Sequence, residues 1–435
     1  PTTEENVLEH IELAKRGKER MLLGFALPIA EEIKKRLKKE TNVDIIEVAG
    51  SLRRMKETIG DVDILVTTKH PNKVADYFTS MDNVYKILGK GETRCSVLMK
   101  SGMQVDLRIV AEKSYGSALL YFTGCKDHNI KLRKVAINKG YKLNEYGLFK
   151  REEQIRGKIE EEIFKELGMD FIPPELRENR GEIEAAQTHN LPELIGYDDI
   201  KGDLQMHTKW SDGGQTIEEM AKTAKDLGYS YICVSDHYSK MKIAGGLNEK
   251  QLRKQLKEID QLNNQLKEIK VLKGAEVDIA ADGSLEANGK VLKELDLVVA
   301  SVHSKFNQPK RKMTKRLISA METAYVNIIG HPTCRKINKK KPVQIDMEEF
   351  FETAKRTETY LEINSFPERL DLDDINAKAA SEAGCKLVIN TDAHDREHLR
   401  YMRLGVGVAR RGWIQREDVI NTLSLKGLMR LLESK

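Results

Sequence analysis

From residue 203 onward the chain repeats one unit, a short apolar run followed by a segment of helical spacing. Seven such runs follow one another: "DLQMH", "YICVSDH", "VLKGAEVDI", "LVVASVHS", "VNIIGHP", "YLEINS" and "KLVINTDAH". Between most of them lie segments such as "TIEEMAKTAKDLG" (216–228) and "EEFFETAKRT" (348–357), whose apolar residues fall three and four apart. Strand–helix alternation predicts parallel strands joined by crossover helices. Seven units predict a distorted β/α barrel, one strand short of the usual eight.

The chain has ten histidines, and five of them end these runs: His207, His237, His303, His331 and His394. The C-terminal ends of barrel strands are where catalytic groups collect. Glu276 and Asp392 occupy similar positions, and Asp212 falls in the turn after the first run. Each histidine alone reads as an ordinary polar residue; five at equivalent places, mixed with carboxylates, read as a site. Imidazole with carboxylate suits zinc, manganese or iron. The candidates exceed what one tetrahedral ion can use. A cluster of two or three ions acting on a phosphate ester is the expectation.

A second acidic pattern lies far upstream, in "IGDVDILV" (59–66). Residues i and i+2 of a strand share a face, so Asp61 and Asp63 are expected to project together. Carboxylates held so close repel unless a cation lies between them, and magnesium is a hard ion that prefers oxygen ligands. Asp106, in the strand-like run "MQVDLRIV", supplies a third carboxylate if the strands pair. Three acidic groups on adjacent strands can hold two ions for in-line phosphoryl or nucleotidyl transfer. Upstream, "EVAGSLRR" (47–54) runs from a strand into Gly50-Ser51 and then a helix. Backbone N–H groups at such a turn, with Arg54 nearby, can cradle a triphosphate.

The first forty or so residues read as helices, with "ALPIAEEIKKRL" (26–37) at helical spacing. Strands are expected in "VDIIEVAG", "DVDILVTT" and "MQVDLRIV", a helix over 71–81, and mixed short elements over 111–170. The stretch 171–200 carries Pro-Pro, many charges and little periodicity, and reads as a linker. Opening at Pro1 without a methionine, the sequence reads as a fragment of a longer protein.

Composition narrows the function classes. With 32% charged residues and no apolar run near the roughly 20 residues of a membrane span, a soluble cytoplasmic protein with no membrane partner is expected. The five cysteines are scattered without a C-x-x-C pair, which argues against a disulfide framework or a thiolate zinc site. Net charge is only +5, but "KFNQPKRKMTKR" (305–316) and "RKINKKKP" (335–342) concentrate positive charge of the kind phosphate backbones attract.

Here the sequence resembles known families. "GSLRRMKETIGDVDILV" with "VDLRIV" resembles the nucleotidyltransferase palm of family X DNA polymerases, and the likeness runs on through "YFTGCKDHN" (121–129), Arg133 and "KLNEYGL" (142–148). The resemblance implies that Gly50, Ser51, Arg54, Gly60, Tyr121, Phe122, Gly124 and Asn129 bind the nucleotide, with Tyr121, Phe122 and Gly124 bordering its sugar. It implies DNA or template contacts for Arg108, Arg133, Asn144, Glu145 and Tyr146. The second half is similar to the polymerase-and-histidinol-phosphatase (PHP) domain, through "DLQMHTKWSDG", "VSDH", "GAEVDI", "SVHS", "GHP" and "NTDAH". The implied metal ligands are His207, Asp212, His237, Glu276, His303, His331, Asp392 and His394. The PHP pattern usually opens H-x-H, whereas this chain has Gln205 at the first position, a weaker neutral ligand.

The implied architecture is a remnant of a helical region (1–25), a palm of mixed sheet and helices (26–118), a thumb (119–175), a linker (176–200) and the PHP barrel (201–435). The implied function is DNA repair by template-directed deoxynucleotide addition, with magnesium on Asp61, Asp63 and Asp106. Asp106 would also help activate the primer hydroxyl. The barrel, with manganese or zinc, would act as a 3′–5′ exonuclease or process DNA ends. Partners are gapped or primer–template DNA and deoxynucleotides, and the chain is expected to be a monomer. Only the tail of the DNA-gripping N-terminal helices is expected, so affinity for gapped DNA should be reduced. Two alternatives are a phosphoesterase whose palm only binds DNA, and a DNA-binding scaffold with neither site competent.

Overall fold

The computed structural model describes residues 20–238, 245–287 and 289–433; residues 1–19 of the expected helical remnant lie outside them. The chain divides between Leu191 and Pro192 into two compact units.

In the first unit, β1 (Ile45–Val48), β2 (Asp61–Thr67), β3 (Val84–Lys90), β4 (Arg94–Met99) and β5 (Gln104–Ile109) form one sheet. Their order is β1-β2-β5-β4-β3. Neighbouring strands β2 and β5 run parallel, and the other pairings are antiparallel. Ile64, Leu65 and Val66 are all buried, so β2 is covered on both faces along its second half. Its first residues, Asp61 and Asp63, are exposed and half-buried respectively. A central strand that starts wet and ends dry tolerates charge only at its start. Helices Leu23–Glu40 and Pro71–Thr79 form where helical spacing predicted them. The hairpin of β3 and β4 was not expected, because its edge strand is exposed over most of its length and shows no period-2 alternation of apolar and polar residues.

Downstream, helices Tyr115–Thr123 and Lys126–Asn138 meet at Gly124, whose φ of +71° ends the first. A small antiparallel sheet follows: β6 (Lys142–Asn144), β7 (Gly147–Lys150) and β8 (Glu153–Arg156). Of the residues after 170, which read as linker, many are packed into this unit as far as Ala186, and 187–190 are exposed. Ile172, Leu176, Ile183 and Ala186 are buried, and so is the whole of Arg177. The Arg177 guanidinium donates to Glu160 at 2.6 Å, and Glu160 also accepts from Arg53. Glu182 lies 2.7 Å from His128. A buried ion pair and a buried hydrogen bond thus join these apolar contacts in holding the stretch.

In the second unit, β9 (Gly202–Asp203), β10 (Tyr231–Val234), β11 (Lys270–Asp278), β12 (Leu297–Ser301), β13 (Ile328–Ile329), β14 (Tyr360–Asn364) and β15 (Leu387–Asn390) pair in sequence order, all parallel. A parallel bridge between Met206 and Ala393 links the first strand's continuation to the last, so the barrel is nearly closed. Side chains alternate. Tyr231 and Cys233 join one core with Leu272, Leu297, Val299, Ile328, Tyr360 and Val388, capped by Leu428 and Leu432 of the final helix. Ile232 and Val234 join another, against helices Ile217–Asp226 and Glu249–Gln265. Each Leu so buried contributes about 1.5–3 kcal/mol. Two or four residues further along the same strand faces come Glu276, Ser301, Glu362 and Asn390, all buried. The inward face of the barrel is therefore apolar at the start of its strands and polar at their ends.

Candidate active sites

Strand register assembles the first cluster. Asp63 and Asp106 are direct neighbours across the parallel pair β2–β5, and Asp61 shares the face of Asp63. On the other side of β5, Ser96 of β4 faces Asp106 and donates to its Oδ1. Arg94 Nη2 lies 3.1 Å from Asp106 Oδ2, and Gln104 Nε2 lies 3.5 Å from both oxygens. Arg108 was expected at DNA; here its Nε is 3.7 Å from Asp63 Oδ1 and its guanidinium carbon 4.0 Å over the ring of Phe122. Burial, then the charge of Asp61, pushes the Asp63 carboxyl up to about 6, against the opposing pull of Arg108. The cluster thus gathers more negative charge than its arginines neutralise, and its donors are all oxygens. That donor set fits a hard divalent cation.

The turn ahead of it is built tightly. Gly50 has φ +62°, and a Cβ there would lie 3.0 Å from Asp63 Oδ2. Only glycine brings the Gly50–Ser51 backbone this close to the carboxylates. Arg54 Nε bonds Glu178 at 2.8 Å, and its Nη1 donates to the Thr123 carbonyl. A Cβ on Gly124 would come within 3.1 Å of the same nitrogen, so Arg54 and the Tyr121–Gly124 segment are packed together. Asn129 Nδ2 donates to the Tyr121 carbonyl at 2.7 Å. Tyr121, Asn129, Arg133 and Asn144 line one cleft. Asn144 Oδ1 accepts from the N–H groups of Tyr146 and Gly147, which fixes the β6–β7 turn and leaves Tyr146 exposed. Glu145 is half-buried in that turn. Gly60 abuts Arg20.

The second cluster lies at the C-terminal ends of the barrel strands, where all eight expected ligands converge. Glu276 is its centre. Its Oε2 is 3.2 Å from His237 Nδ1 and 3.5 Å from His207 Nε2. Its Oε1 is 3.3 Å from His331 Nε2 and 3.5 Å from His303 Nε2. Asp392 Oδ1 is 3.2 Å from His207 Nε2, and Asp212 Oδ2 is 3.4 Å from His394 Nε2. Among the described residues two groups have the spacing of a metal site: His207, Asp212, His237 and His394; and His237, Glu276 and His303. His237 belongs to both.

Charge is balanced inside this set. Burial opposes it, but the hydrogen bond from His394 and the charge of His207 hold the Asp212 carboxyl at about 2. Asp212 and Asp392 lift His394 to about 9, again against burial. Burial and then Arg369 push His331 down to about 4. Glu276 is held well below the usual range because His303 and His237 outweigh its burial. Both ring nitrogens of His207, Nδ1 of His331 and Oε1 of Gln205 are buried with no hydrogen-bond partner among the described residues. Each such orphan costs about 1–3 kcal/mol, and a cation among them would satisfy it. The donors therefore fit transition-metal ions. Gln205 lies inside the cluster, its Nε2 3.3 Å from Glu276.

An outer layer that the sequence reading missed orients these ligands. Asp278 Oδ1 lies 2.5 Å from His303 Nδ1. Asn364 donates to Asp392 at 3.0 Å, and Glu362 accepts from the His331 N–H at 2.6 Å. Asp278 was findable: it stands two residues after Glu276 on one strand face, as Asp63 does after Asp61.

Family models match three segments: DNA polymerase beta palm over residues 27–107, DNA polymerase beta thumb over 118–178, and PHP domain over 203–366. Asp61, Asp63 and Asp106 fall in the first, whereas Asp392 and His394 lie beyond the last. The chain is 41% identical to a protein of Bacillus subtilis (strain 168) named DNA polymerase/3′-5′ exonuclease PolX, over 99% of this chain and 76% of that protein. It is 32% identical to a repair DNA polymerase X of African swine fever virus, over 34% of this chain and 94% of the relative. A probable phosphatase of Thermoanaerobacter sp. (strain X514) is 33% identical, over 50% of this chain and 90% of that protein.

Proposed function

The chain belongs to the family X DNA polymerases that carry a PHP domain, and from that premise we propose that it extends primers at the Asp61–Asp63–Asp106 cluster and degrades DNA from its 3′ end at the barrel cluster. The observation that carries the first half is the pairing of Asp63 with Asp106 beside Asp61, hard against the Gly50 turn. Asp61, Asp63 and Asp106 would hold magnesium, and His207, Asp212, His237, Glu276, His303, His331, Asp392 and His394 two or three manganese or zinc ions. Bound there, the ions supply Lewis-acid charge to phosphoryl oxygens.

The chain's own residues do the rest. Asp106 accepts the proton of the primer hydroxyl once Arg94 has released it. The Gly50–Ser51 backbone and Arg54 orient the triphosphate. Tyr121, Phe122, Gly124 and Asn129 border the sugar and base, while Arg133, Asn144, Glu145 and Tyr146 meet the template side and Arg108 offsets the charge of Asp63. In the barrel, Asp278, Asn364 and Glu362 fix the rings and carboxylates so that a phosphodiester meets them without rearrangement. DNA and deoxynucleotides are the substrates; action as a monomer in the cytoplasm is part of the same reading.

Primer extension on a gapped template and degradation of a 3′ end, run side by side with magnesium and with manganese, test it. Both activities are expected. Hydrolysis without extension would replace the reading with a phosphoesterase whose palm only binds DNA, and neither activity would leave a scaffold.

A further inference from the structure

Of the eleven cations in the two basic runs, Lys305, Arg311, Lys312, Lys315 and Lys341 stand exposed, and five of the other six are engaged within the second unit. Lys310 pairs with Asp346 at 2.7 Å, and the buried Arg316 donates to the carbonyls of Ser304 and Ile279. Arg335 donates to the carbonyls of Arg369 and Leu370 and lies 3.6 Å from Asp373. Lys336 and Lys339 share Glu368. Lys340 differs. Among the described residues it has no ion pair, and its Nζ lies 2.8 Å from the ring centroid of Phe306.

Arg369 is a second half-buried cation. Its nearest carboxylate, Asp392, is 3.6 Å away and belongs to the barrel cluster. His303, His331 and Lys340 all feel its charge, which puts it at the His303–His331 end of that cluster with Lys340 beside it. The loops that carry them follow β12, β13 and β14, and they are stitched together. Ile337 N–H donates to the Glu368 carbonyl at 2.7 Å, and Arg335 spans the same gap. Two half-buried cations are thus held within each other's electrostatic reach by these loops; the one carboxylate that both feel besides the barrel cluster, Asp371, is fully buried and bonded to Thr333. The ligand complementary to that arrangement is a phosphate.

We infer that Arg369 and Lys340, with Phe306 holding Lys340 in place, form a phosphate clamp at the rim of the barrel site. The clamp grips the backbone of a phosphodiester-linked chain next to the bond being cut. It makes the site selective for a DNA strand over a small phosphate ester. The inference rests on reading the barrel as a phosphodiesterase.

The test uses the full chain with manganese and two substrates, a 5′-labelled single-stranded oligodeoxynucleotide and bis(p-nitrophenyl) phosphate. The readout is the ratio of their kcat/KM values. In Lys340→Gln the ratio falls about tenfold, as loss of one charged hydrogen bond to a phosphate implies. The salt dependence on the oligonucleotide becomes shallower by about 0.7 in log–log slope. Lys340→Arg restores the ratio. Lys312→Gln, exposed on the helix Lys310–Met321, leaves it in place. An unchanged ratio in Lys340→Gln, with wild type active on both substrates, overturns the clamp alone. A wild-type chain that hydrolyses neither overturns the phosphodiesterase reading and the clamp with it.

Discussion

The two clusters solve the same problem, crowded negative charge, in opposite ways. In the palm the counter-charge comes from outside the ligand set: Arg94 on Asp106 and Arg108 near Asp63. Arg94 is 53% exposed and free to swing away. In the barrel the counter-charge is the histidines themselves, and the ligands are mostly buried.

The largest effect that sharpens this contrast is a crossed loss of activity. Asp61→Ala with Asp63→Ala reduces primer extension to background and leaves 3′-end degradation, whereas Glu276→Ala does the reverse. One variant that abolishes both would break the separation. Next in size is the outer layer. Asp278→Asn frees the His303 ring and is expected to lower hydrolysis about 10–100-fold with extension retained; a loss below twofold in a manganese-saturated assay would argue that His303 needs no such support. Smaller again is Gln205→His, which replaces an amide with an imidazole beside Glu276. It should raise hydrolysis at limiting manganese, within about tenfold, and an unchanged manganese dependence would place Gln205 outside the ligand set.

The smallest contrast is in acid stability. The Glu160 carboxyl, buried but flanked by Arg177 and Arg53, is held at about 2 in the folded chain against 4.5 when unfolded. Its contribution, about 3 kcal/mol, is complete above pH 4.5 and lost as pH falls toward 2. Asp371 in the barrel unit works the other way: burial pushes it up to about 6, so its share of stability grows as pH falls from about 6 toward 3.8. Hydrogen exchange followed in each unit between pH 6 and 3 should show protection around Glu160 weakening first. Equal weakening around Asp371 would contradict these assignments.

Much of this was legible in the residues. The i, i+2 rule put Asp61 and Asp63 on one face, and strand–helix alternation gave the seven parallel strands whose ends gather the histidines. What stayed hidden depends on pairing that no local pattern encodes. Arg94 and Ser96 reach Asp106 only because an exposed, weakly patterned hairpin docks beside β5. The stretch after residue 170 read as a linker because Arg177 and Glu182 are buried through partners far away in sequence. Arg369 carried no signal of its own, since only the fold of three loops brings it to Asp392.

The central claim, that both clusters exist to hold divalent cations, is tested most directly by anomalous diffraction from crystals grown with manganese. Peaks are expected among Asp61, Asp63 and Asp106, and at least two more between His207, His237, Glu276 and His394. Manganese sites elsewhere, with no peak at either cluster, would contradict it.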